Sequence, residues 1–325
     1  METRSESIKT IAELSGIRAH TLYRDYKRAS GFHSWDQRSH ASEYLVFAGN
    51  IGKRLSIDEV SLSKGELYTY VTNKAAKGRK GSLVASIQGT RSEDIIRVLE
   101  KIPLCERIQV EEVTLDMAPN MAKAITRAFP NARQVTDHFH VAQLVYDAMQ
   151  HVRIKLRWEE LDRENKAAKA ARKAGRRYVP EQLVNGDSPR RLLARSRYPL
   201  YKPEHKWTKN QWLRLYVAFE RYPELKTAYD HVQWLVRIYR MQDKHKATEA
   251  LNQWIKASGK LKIKEFASCA NTIREYFPSI INYFDNRSTN ASAESFNAKI
   301  KQFRASQRGV KDTEFFLFRL TKLYA

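Results

Sequence analysis

The chain has 325 residues, of which 42% are hydrophobic and 11% aromatic, a composition typical of a folded protein with one large or two ordinary domains. Its 58 lysine and arginine residues outnumber its 36 aspartate and glutamate residues, and the formal net charge of +22 attracts polyanions such as nucleic acid. The polar N-terminus, the lack of a long apolar run and two distant cysteines exclude secreted, membrane-spanning and disulfide-framework proteins, so we expect a cytoplasmic, nucleoid-associated protein.

The first 30 residues have the pattern of two short helices separated by a break at Gly16. Four residues have the spacing of a helix-turn-helix, namely Ala12, Gly16, Ile17 and Leu22. In that motif the second helix presents polar residues to DNA, here Arg18, His20, Thr21 and Arg24. A plain helical hairpin explains the pattern equally well. Residues 31–50 are predicted to be a connector, so residues 1–50 form a helix-turn-helix-like segment and connector.

Beyond Lys53 the apolar residues alternate as in strands. Three strands are predicted, at Leu55–Leu62, Leu67–Val71 and Ser82–Ile87. Because short polar turns join them, we expect an antiparallel meander. The turn between the second and third strands is basic and is a candidate DNA contact through Lys74, Lys77, Arg79 and Lys80. An ordinary exposed hairpin is the alternative.

The next elements alternate between helix and strand. They are a helix with Ser92 as its N-cap, a strand at Ile108–Leu115, a helix at Pro119–Phe129, a strand at Gln134–Thr136 and a long helix from near His140. Three antiparallel strands followed by two parallel crossovers give the order β-β-β-α-β-α-β-α. This order predicts an α/β protein with an RNase H-like mixed five-stranded sheet and helices on both faces, whose first part is residues 51–150.

Residues 151–285 are predicted to form an all-helical insertion domain, and residues 286–325 to return to the core as helices beginning near Asn290 and Thr313. The insertion holds five of the six tryptophans, Trp158, Trp207, Trp212, Trp234 and Trp254. We expect them to fill a helical core rather than to stack on unpaired bases. Basic residues at its start are candidate phosphate contacts, namely Arg153, Lys155, Arg157, Arg172, Lys173, Arg176 and Arg177.

Three acidic residues occupy the positions at which an RNase H-like core carries its chemistry. Asp58 lies within the first strand, Asp116 closes the fourth, and Glu294 lies on a late helix. Phosphoryl transfer on DNA uses two divalent ions about 3.5–4 Å apart, held by hard carboxylates. Helical spacing places Asn297 and Lys301 on the same face as Glu294. We therefore predict that the three acids bind two Mg²⁺ or Mn²⁺ ions, although any one alone fits a solvated surface residue.

Four blocks of the sequence resemble bacterial insertion-sequence transposases: residues Leu55–Val60, Val113–Pro119, Val135–Val141 and Ser292–Lys301. The last three in this order are highly specific, and the chain is similar over about residues 1–325 to the ISL-three family of DDE transposases, which is related to Mutator-like elements. This resemblance implies that Asp58, Asp116 and Glu294 are the DDE triad. It also implies that the helical segment between Asp116 and Glu294 is the insertion domain of this superfamily.

Asp137 and His140 form an Asp-x-x-His pair after the fifth strand. Related superfamilies carry such a pair close to the active site, so both residues are candidate active-site neighbours, and His140 would contact the scissile phosphate or help to order the catalytic helix. A helix N-terminus with Asp137 as a capping charge is the alternative. Two ligands do not complete a zinc site. Asp137 is a less favoured substitute for Asp116 as the second ligand, and Glu59 and Glu112 are expected to be neighbours.

The predicted function is DNA cleavage at the ends of an insertion sequence, followed by attack of the new 3′-hydroxyl on target DNA. Because two ends are joined, we expect a homodimer or a larger synaptic assembly. Family members usually carry a Cys/His zinc module ahead of the helix-turn-helix, which this chain lacks. A separate small zinc-binding polypeptide is therefore an expected partner for end recognition. The alternatives are a structure-selective nuclease or resolvase, and a non-catalytic helix-turn-helix DNA-binding protein.

Overall fold

The computed structural model describes residues 6–61, 66–307, 310 and 312–325. The chain divides into two compact units, the first formed by residues 1–137 and 286–325 and the second by residues 138–285. The predicted helical insertion, residues 151–285, falls within the second unit. Among the residues described, none of the helices combines the length and the apolarity that a membrane span requires.

The first unit is built on one mixed sheet of six strands. In chain order they are β1 (Tyr44–Val46), β2 (Arg54–Ser61), β3 (Leu67–Asn73), β4 (Leu83–Gln88), β5 (Glu112–Leu115) and β6 (Arg133–Thr136). The strand order across the sheet is β1-β4-β3-β2-β5-β6. β1, β4, β3 and β2 pair antiparallel in that order, whereas β2, β5 and β6 pair parallel. The protein is therefore a mixed α/β protein.

Helices make up most of the remaining structure. Before the second unit begins, the first unit contains five α-helices within its described residues. They are α1 (Ile8–Ser15), α2 (Ala19–Ala29), α3 (Ser92–Leu99), α4 (Leu104–Arg107) and α5 (Pro119–Ala128). The next are α6 (His138–Lys173), α7 (Pro189–Arg195), α8 (Lys209–Arg221), α9 (Pro223–Ile238), α10 (Lys244–Ser258), α11 (Lys264–Glu275), α12 (Phe277–Ile281) and α13 (Tyr283–Asn286). The chain then continues through α14 (Ala291–Ser306) and α15 (Thr313–Tyr324).

Several predicted boundaries differ from the structure. The stretch predicted to be a connector contains β1, which pairs with β4 but is too short to show a period in sequence. The fourth strand starts at Glu112 rather than Ile108, because the chain leaves α4 through a turn over the intervening residues. Ser92 is the first residue of α3 and not its N-cap, which is Arg91. The predicted end of the first strand, Leu62, lies outside the described residues.

Helices cover both faces of the sheet in the first unit. Alternate residues of a strand point to opposite faces. Ile57 belongs to a buried cluster that includes Ile95 of α3. Val60, of opposite parity, belongs to a second cluster that includes Phe296 of α14. Asp58 has the parity of Val60, so the strand directs it toward the face that α14 covers.

The two N-terminal helices form the predicted pair. Gly16 ends α1 with φ of +65°, a left-handed conformation that glycine adopts without strain, and its N–H bonds to the carbonyls at the end of the helix. α2 is held to α15 by aromatic edge contacts, such as that of Tyr23 with Phe315 at 5.2 Å. Arg18, His20 and Arg24 are exposed and Thr21 is half-buried. DNA binding by this pair stays a prediction.

Tryptophans of the second unit take two different environments. Trp254 is fully buried, as expected for a helical core. Trp158 and Trp212 are 59% and 48% exposed, so the expectation that these tryptophans fill the core is wrong for both. Trp212 stacks on Tyr216, one turn later on α8, with ring centroids 5.3 Å apart. The i, i+4 spacing allows two surface rings to cover each other, and helical periodicity alone does not distinguish such a pair from a core face.

The buried imidazole of His231 makes the stability of the second unit depend on pH. The ring stacks on Trp254 at 4.5 Å, and its Nε2 lies 2.7 Å from the Ser258 hydroxyl. Burial lowers the pKa of His231 to about 4. Because the unfolded chain, with a histidine pKa near 6.5, binds the proton more readily than the folded protein, stability falls as the pH drops from about 6.5 to about 4.

We expect His231→Phe, which keeps the stacked ring, to flatten the pH dependence of thermal unfolding over this range. Tryptophan fluorescence is a suitable signal, because five of the six tryptophans lie in the second unit. His205→Gln is the matched control, since His205 is exposed, and it should keep the wild-type pH dependence. Identical pH profiles for His231→Phe and the wild-type protein would contradict the assignment.

Candidate active site

Three aspartates lie on or directly after three adjacent parallel strands: Asp58 is within β2, Asp116 follows β5 and Asp137 follows β6. β2 and β5 are in register at Ser56 and Thr114, so Asp58 and Asp116 each follow that pair by two residues. The β5–β6 register, extended by one residue, aligns Asp116 with Asp137. Neighbouring strands are about 4.8 Å apart, and residues aligned in this way point to the same face of a sheet. The sheet therefore presents the three carboxylates as a row.

Helix α14 supplies two polar side chains to this row. The Asn297 amide Nδ2 donates a 2.6 Å hydrogen bond to Oδ2 of Asp58. A carboxylate oxygen of Glu294 lies within 4.8 Å of one of Asp137. Since Glu294 and Asn297 are three residues apart, they share one face of the helix. This face of α14 therefore reaches both ends of the row, because Asn297 contacts Asp58 and Glu294 lies close to Asp137.

The carboxylates of the row differ in burial. Asp137 is 1% exposed, Asp58 and Asp116 are half-buried, and Glu294 is exposed. Oδ1 of Asp58 accepts the backbone N–H of Glu59 at 2.8 Å, so both oxygens of this carboxylate are oriented. Buried carboxylates are costly without a compensating cation. The row of partly or fully buried aspartates, with Glu294 beside Asp137, is thus an arrangement that favours a bound cation.

The set of carboxylates differs from the predicted triad in one respect. Within the described part of the first unit, carboxylate oxygens of Glu294 and Asp137 lie within 4.8 Å of each other. Asp58 and Asp116 do not belong to this group of close ligand atoms. Asp137, which sequence reasoning rated below Asp116 as a ligand, therefore lies closer to Glu294 than expected. Its signal in the sequence was its position directly after β6, at the same level as Asp116. His140 lies in the first turn of α6, which starts at His138 rather than near His140.

The predicted third residue of the α14 face takes a different position. Lys301 is exposed, whereas Asn297 is only 7% exposed and contacts Asp58. Sequence spacing placed Asn297 beside Glu294 but did not identify Asp58 as its partner. Asn297 therefore joins the C-terminal segment to the first strand of the predicted meander.

A buried ion pair lies beside the row and was not predicted. The Lys74 ammonium lies 3.4 Å from Oε1 of Glu112 and also bonds to the Thr114 hydroxyl. Asn286 donates a 3.1 Å hydrogen bond to Oε2 of Glu112, and Ser288 also bonds to this carboxylate. Burial alone would raise the pKa of Glu112, but these hydrogen bonds and Lys74 outweigh it and lower the pKa. Glu112 thus ties the segment before α14 to β5.

Of the predicted DNA contacts, Arg153 is buried and Lys74 is half-buried. Lys74 is held by Glu112, so this residue of the basic turn is not an exposed cation. Arg153 is 6% exposed, and its guanidinium donates to Oε1 of Gln150 at 2.6 Å and to the carbonyl of Leu193 at 3.1 Å. The local sequence did not reveal which groups accept hydrogen bonds from these two cations. The acceptors lie on other elements or on another turn of the same helix. The remaining candidates are exposed: Lys77, Arg79, Lys80, Lys155, Arg157, Arg172, Lys173, Arg176 and Arg177.

Comparison with known families identifies the class of protein. Residues 55–320 match the family of transposases of the ISL-three DDE type. The matched region includes every acidic residue of the row and α14. Because this match covers more than half of the chain, the protein belongs to this family of insertion-sequence transposases.

Two relatives from Mycobacterium tuberculosis, in the strains CDC 1551 / Oshkosh and ATCC 25618 / H37Rv, are each named transposase for insertion sequence element IS1557. Each is 25% identical to this chain over 251 residues, which is 77% of this chain and 55% of the relative. The chain thus spans about half the length of these curated relatives. No solved structure matches it.

Proposed function

We propose that this protein is a DDE transposase that cleaves DNA at the ends of an insertion sequence and joins the new ends to target DNA. Asp58, Asp116 and Glu294 are its catalytic and metal-binding carboxylates. The observation that supports the proposal is the row of aspartates on three adjacent parallel strands, with Glu294 of α14 close to Asp137. The sheet order β4-β3-β2-β5-β6, with three antiparallel strands followed by parallel ones, supports an RNase H-like core.

The donor set fits Mg²⁺ or Mn²⁺. These hard cations prefer carboxylate oxygens, and the row and α14 offer only oxygen donors. When bound, two such ions activate the attacking oxygen and stabilise the leaving oxygen of an in-line displacement. Asp58 and Asp116, on adjacent strands, would hold them on the sheet side, and Glu294 would hold them from the helix. Asn297 donates a hydrogen bond to the Asp58 carboxylate and so fixes its orientation.

Asp137 and His140 are proposed as neighbours of this site. The Asp137 carboxylate lies beside Glu294 and adds negative charge there. Lys74 is close enough for Asp137 to raise its pKa, although burial outweighs this and lowers the pKa of Lys74. Lys74 thereby offsets part of the charge of the carboxylates when DNA is absent.

DNA is the proposed partner, and the positive charge supports it. The exposed cations of the turn after β3 and of α6 and the residues that follow it would contact phosphates, and the N-terminal helix pair would enter a groove. A dimer or larger synaptic assembly is proposed because two element ends must be cut and joined together. End recognition by a separate zinc-binding polypeptide belongs to the same proposal.

Strand transfer distinguishes this function from its rivals. A duplex ending in a 3′-hydroxyl, copied from the DNA flanking the gene, would be incubated with protein, a supercoiled target and Mg²⁺, Mn²⁺ or EDTA. We expect metal-dependent cleavage of uncut ends and covalent joining of the duplex to the target. Cutting of branched DNA without joining would instead assign a nuclease or resolvase. Salt-dependent binding without cleavage in either metal would assign a non-catalytic DNA-binding protein.

A further inference from the structure

A cavity of about 650 Å³ lies between the start of β2 and the start of α14, within the first unit. Cations and hydroxyl groups make up most of its lining, which includes Lys53, Arg54, Lys74, Ser288, Thr289 and Ser292. Of these side chains, the site proposed for catalysis uses Lys74 alone, as a charge beside the carboxylates. Hydroxyl groups, ammonium and guanidinium are all hydrogen-bond donors, so the cavity favours an anion rich in acceptor oxygens.

The start of α14 adds donors that the described protein does not satisfy. Asn290 precedes α14, and its side chain makes no capping hydrogen bond. It therefore does not satisfy the first backbone N–H groups of the helix, which carry the positive end of the helix dipole. Asn290 is fully buried, and neither polar atom of its side chain has a partner within the described residues. The buried hydroxyl of Ser292, which lines the cavity, likewise has no described partner. An uncapped N-terminus with an unpartnered hydroxyl is a suitable place for a phosphate group.

The charge of the lining supports the same ligand. Among the described lining residues, Glu111 is the single acidic group, and Lys53 pairs with it at 2.7 Å. Arg54 is exposed and points to the α14 face, because it has the parity of Asp58 on β2. Lys74 is paired with Glu112, so it adds positive electrostatic potential to the cavity rather than a hydrogen-bond donor. The cavity therefore keeps positive charge that an anion would neutralise.

We propose that this cavity binds a phosphate group of the DNA backbone, a short distance along the strand from the position of cleavage. The inference rests on the proposed function, since DNA supplies the phosphate. Arg54 precedes Asp58 by four residues, or about 13 Å along the strand. For a DNA strand that runs along β2, this distance corresponds to roughly four nucleotides at the ~3.4 Å rise per nucleotide of B-DNA.

DNA affinity measured in EDTA by fluorescence anisotropy, over a series of salt concentrations, tests the proposal without requiring cleavage. Removing one phosphate contact lowers the dependence of log K on log salt by about 1. We expect Arg54→Gln to reduce the slope by about 1 and the affinity at low salt by about tenfold. Ser292→Ala should reduce affinity with little change of slope, because a hydroxyl carries no charge. Arg54→Lys should restore the slope.

Lys123→Gln is the matched control. Lys123 pairs with Glu93 at 2.7 Å on the surface of α5, as Lys53 pairs with Glu111, but it lies outside the cavity. Lys53→Gln should therefore lower the salt slope, whereas Lys123→Gln should not. Wild-type affinity and slope for Arg54→Gln and Ser292→Ala, with unchanged thermal unfolding, would overturn the proposal. The proposal would also be overturned if these variants lose the thermal stabilisation that inorganic phosphate gives the wild-type protein but bind DNA as the wild-type protein does. Because EDTA prevents metal-dependent cleavage, these outcomes are independent of whether the protein is catalytic.

Discussion

Asp58→Asn, Asp116→Asn and Glu294→Gln are each expected to lower the rate of metal-dependent DNA cleavage by about 10³-fold or more. Each change keeps the size of the side chain but removes the negative charge that a divalent cation requires. The three carboxylates come from β2, from the residue after β5 and from α14, so no neighbour on the same element replaces them. Single-turnover cleavage of end-containing DNA in Mg²⁺ and in Mn²⁺ is the measurement.

Glu59→Gln is the control for this series. Glu59 follows Asp58 directly, but alternation along β2 directs its side chain to the opposite face of the sheet. We expect it to cleave at close to the wild-type rate. All four variants should bind DNA in EDTA with wild-type affinity, which separates loss of chemistry from loss of folding. Cleavage by Asp58→Asn or Asp116→Asn at the rate of Glu59→Gln would end the assignment of the triad.

Glu112→Ala is expected to destabilise the protein by about 3–5 kcal/mol, because it leaves the buried ammonium of Lys74 without its counter-charge. It also removes the acceptor of the hydrogen bonds from Asn286 and Ser288, which precede α14. The free energy of unfolding from urea titrations followed by circular dichroism is the measurement. Cleavage should decline as well, since the segment that delivers Glu294 is less firmly held.

Glu111→Ala provides the comparison for this prediction. The two glutamates are adjacent, but Glu111 is exposed and its partner is the exposed Lys53, so near-wild-type stability is expected. The double variant of Glu112→Met with Lys74→Met should regain much of the stability lost in Glu112→Ala, because it removes both charges. Equal stabilities for Glu111→Ala and Glu112→Ala would show that the buried pair contributes little.

The order of strands and helices in the first unit was readable from the sequence because each element is long enough to show its period. β2 has eight residues with apolar side chains at Leu55, Ile57 and Val60, and α3 and α5 each bury one face. β1 has only three residues and depends on its pairing with β4, a contact about 40 residues away in sequence. The start of β5 was also misplaced, since Ile108 and Val110 continue an apolar pattern across the end of α4.

The candidate site was predictable to the extent that an RNase H-like core carries acids within its first strand, at the end of its fourth and on a late helix. Asp58, Asp116 and Glu294 were chosen on that basis and by resemblance, and the register brings the first two to adjacent strands. The closeness of Asp137 to Glu294 was not predicted, because it depends on where α14 crosses the sheet. Buried cations such as Lys74 and Arg153 were likewise assigned to the surface, since lysine and arginine are rarely buried and their partners are distant in sequence.

The division of the first unit into two chain segments has a consequence for synthesis. The three aspartates are made before the second unit, and Glu294 only after it, 157 residues beyond Asp137. At ~5–20 residues per second, the ribosome takes roughly 8–30 s to cover that interval. A nascent or prematurely terminated chain would therefore carry the three aspartates of the row without Glu294.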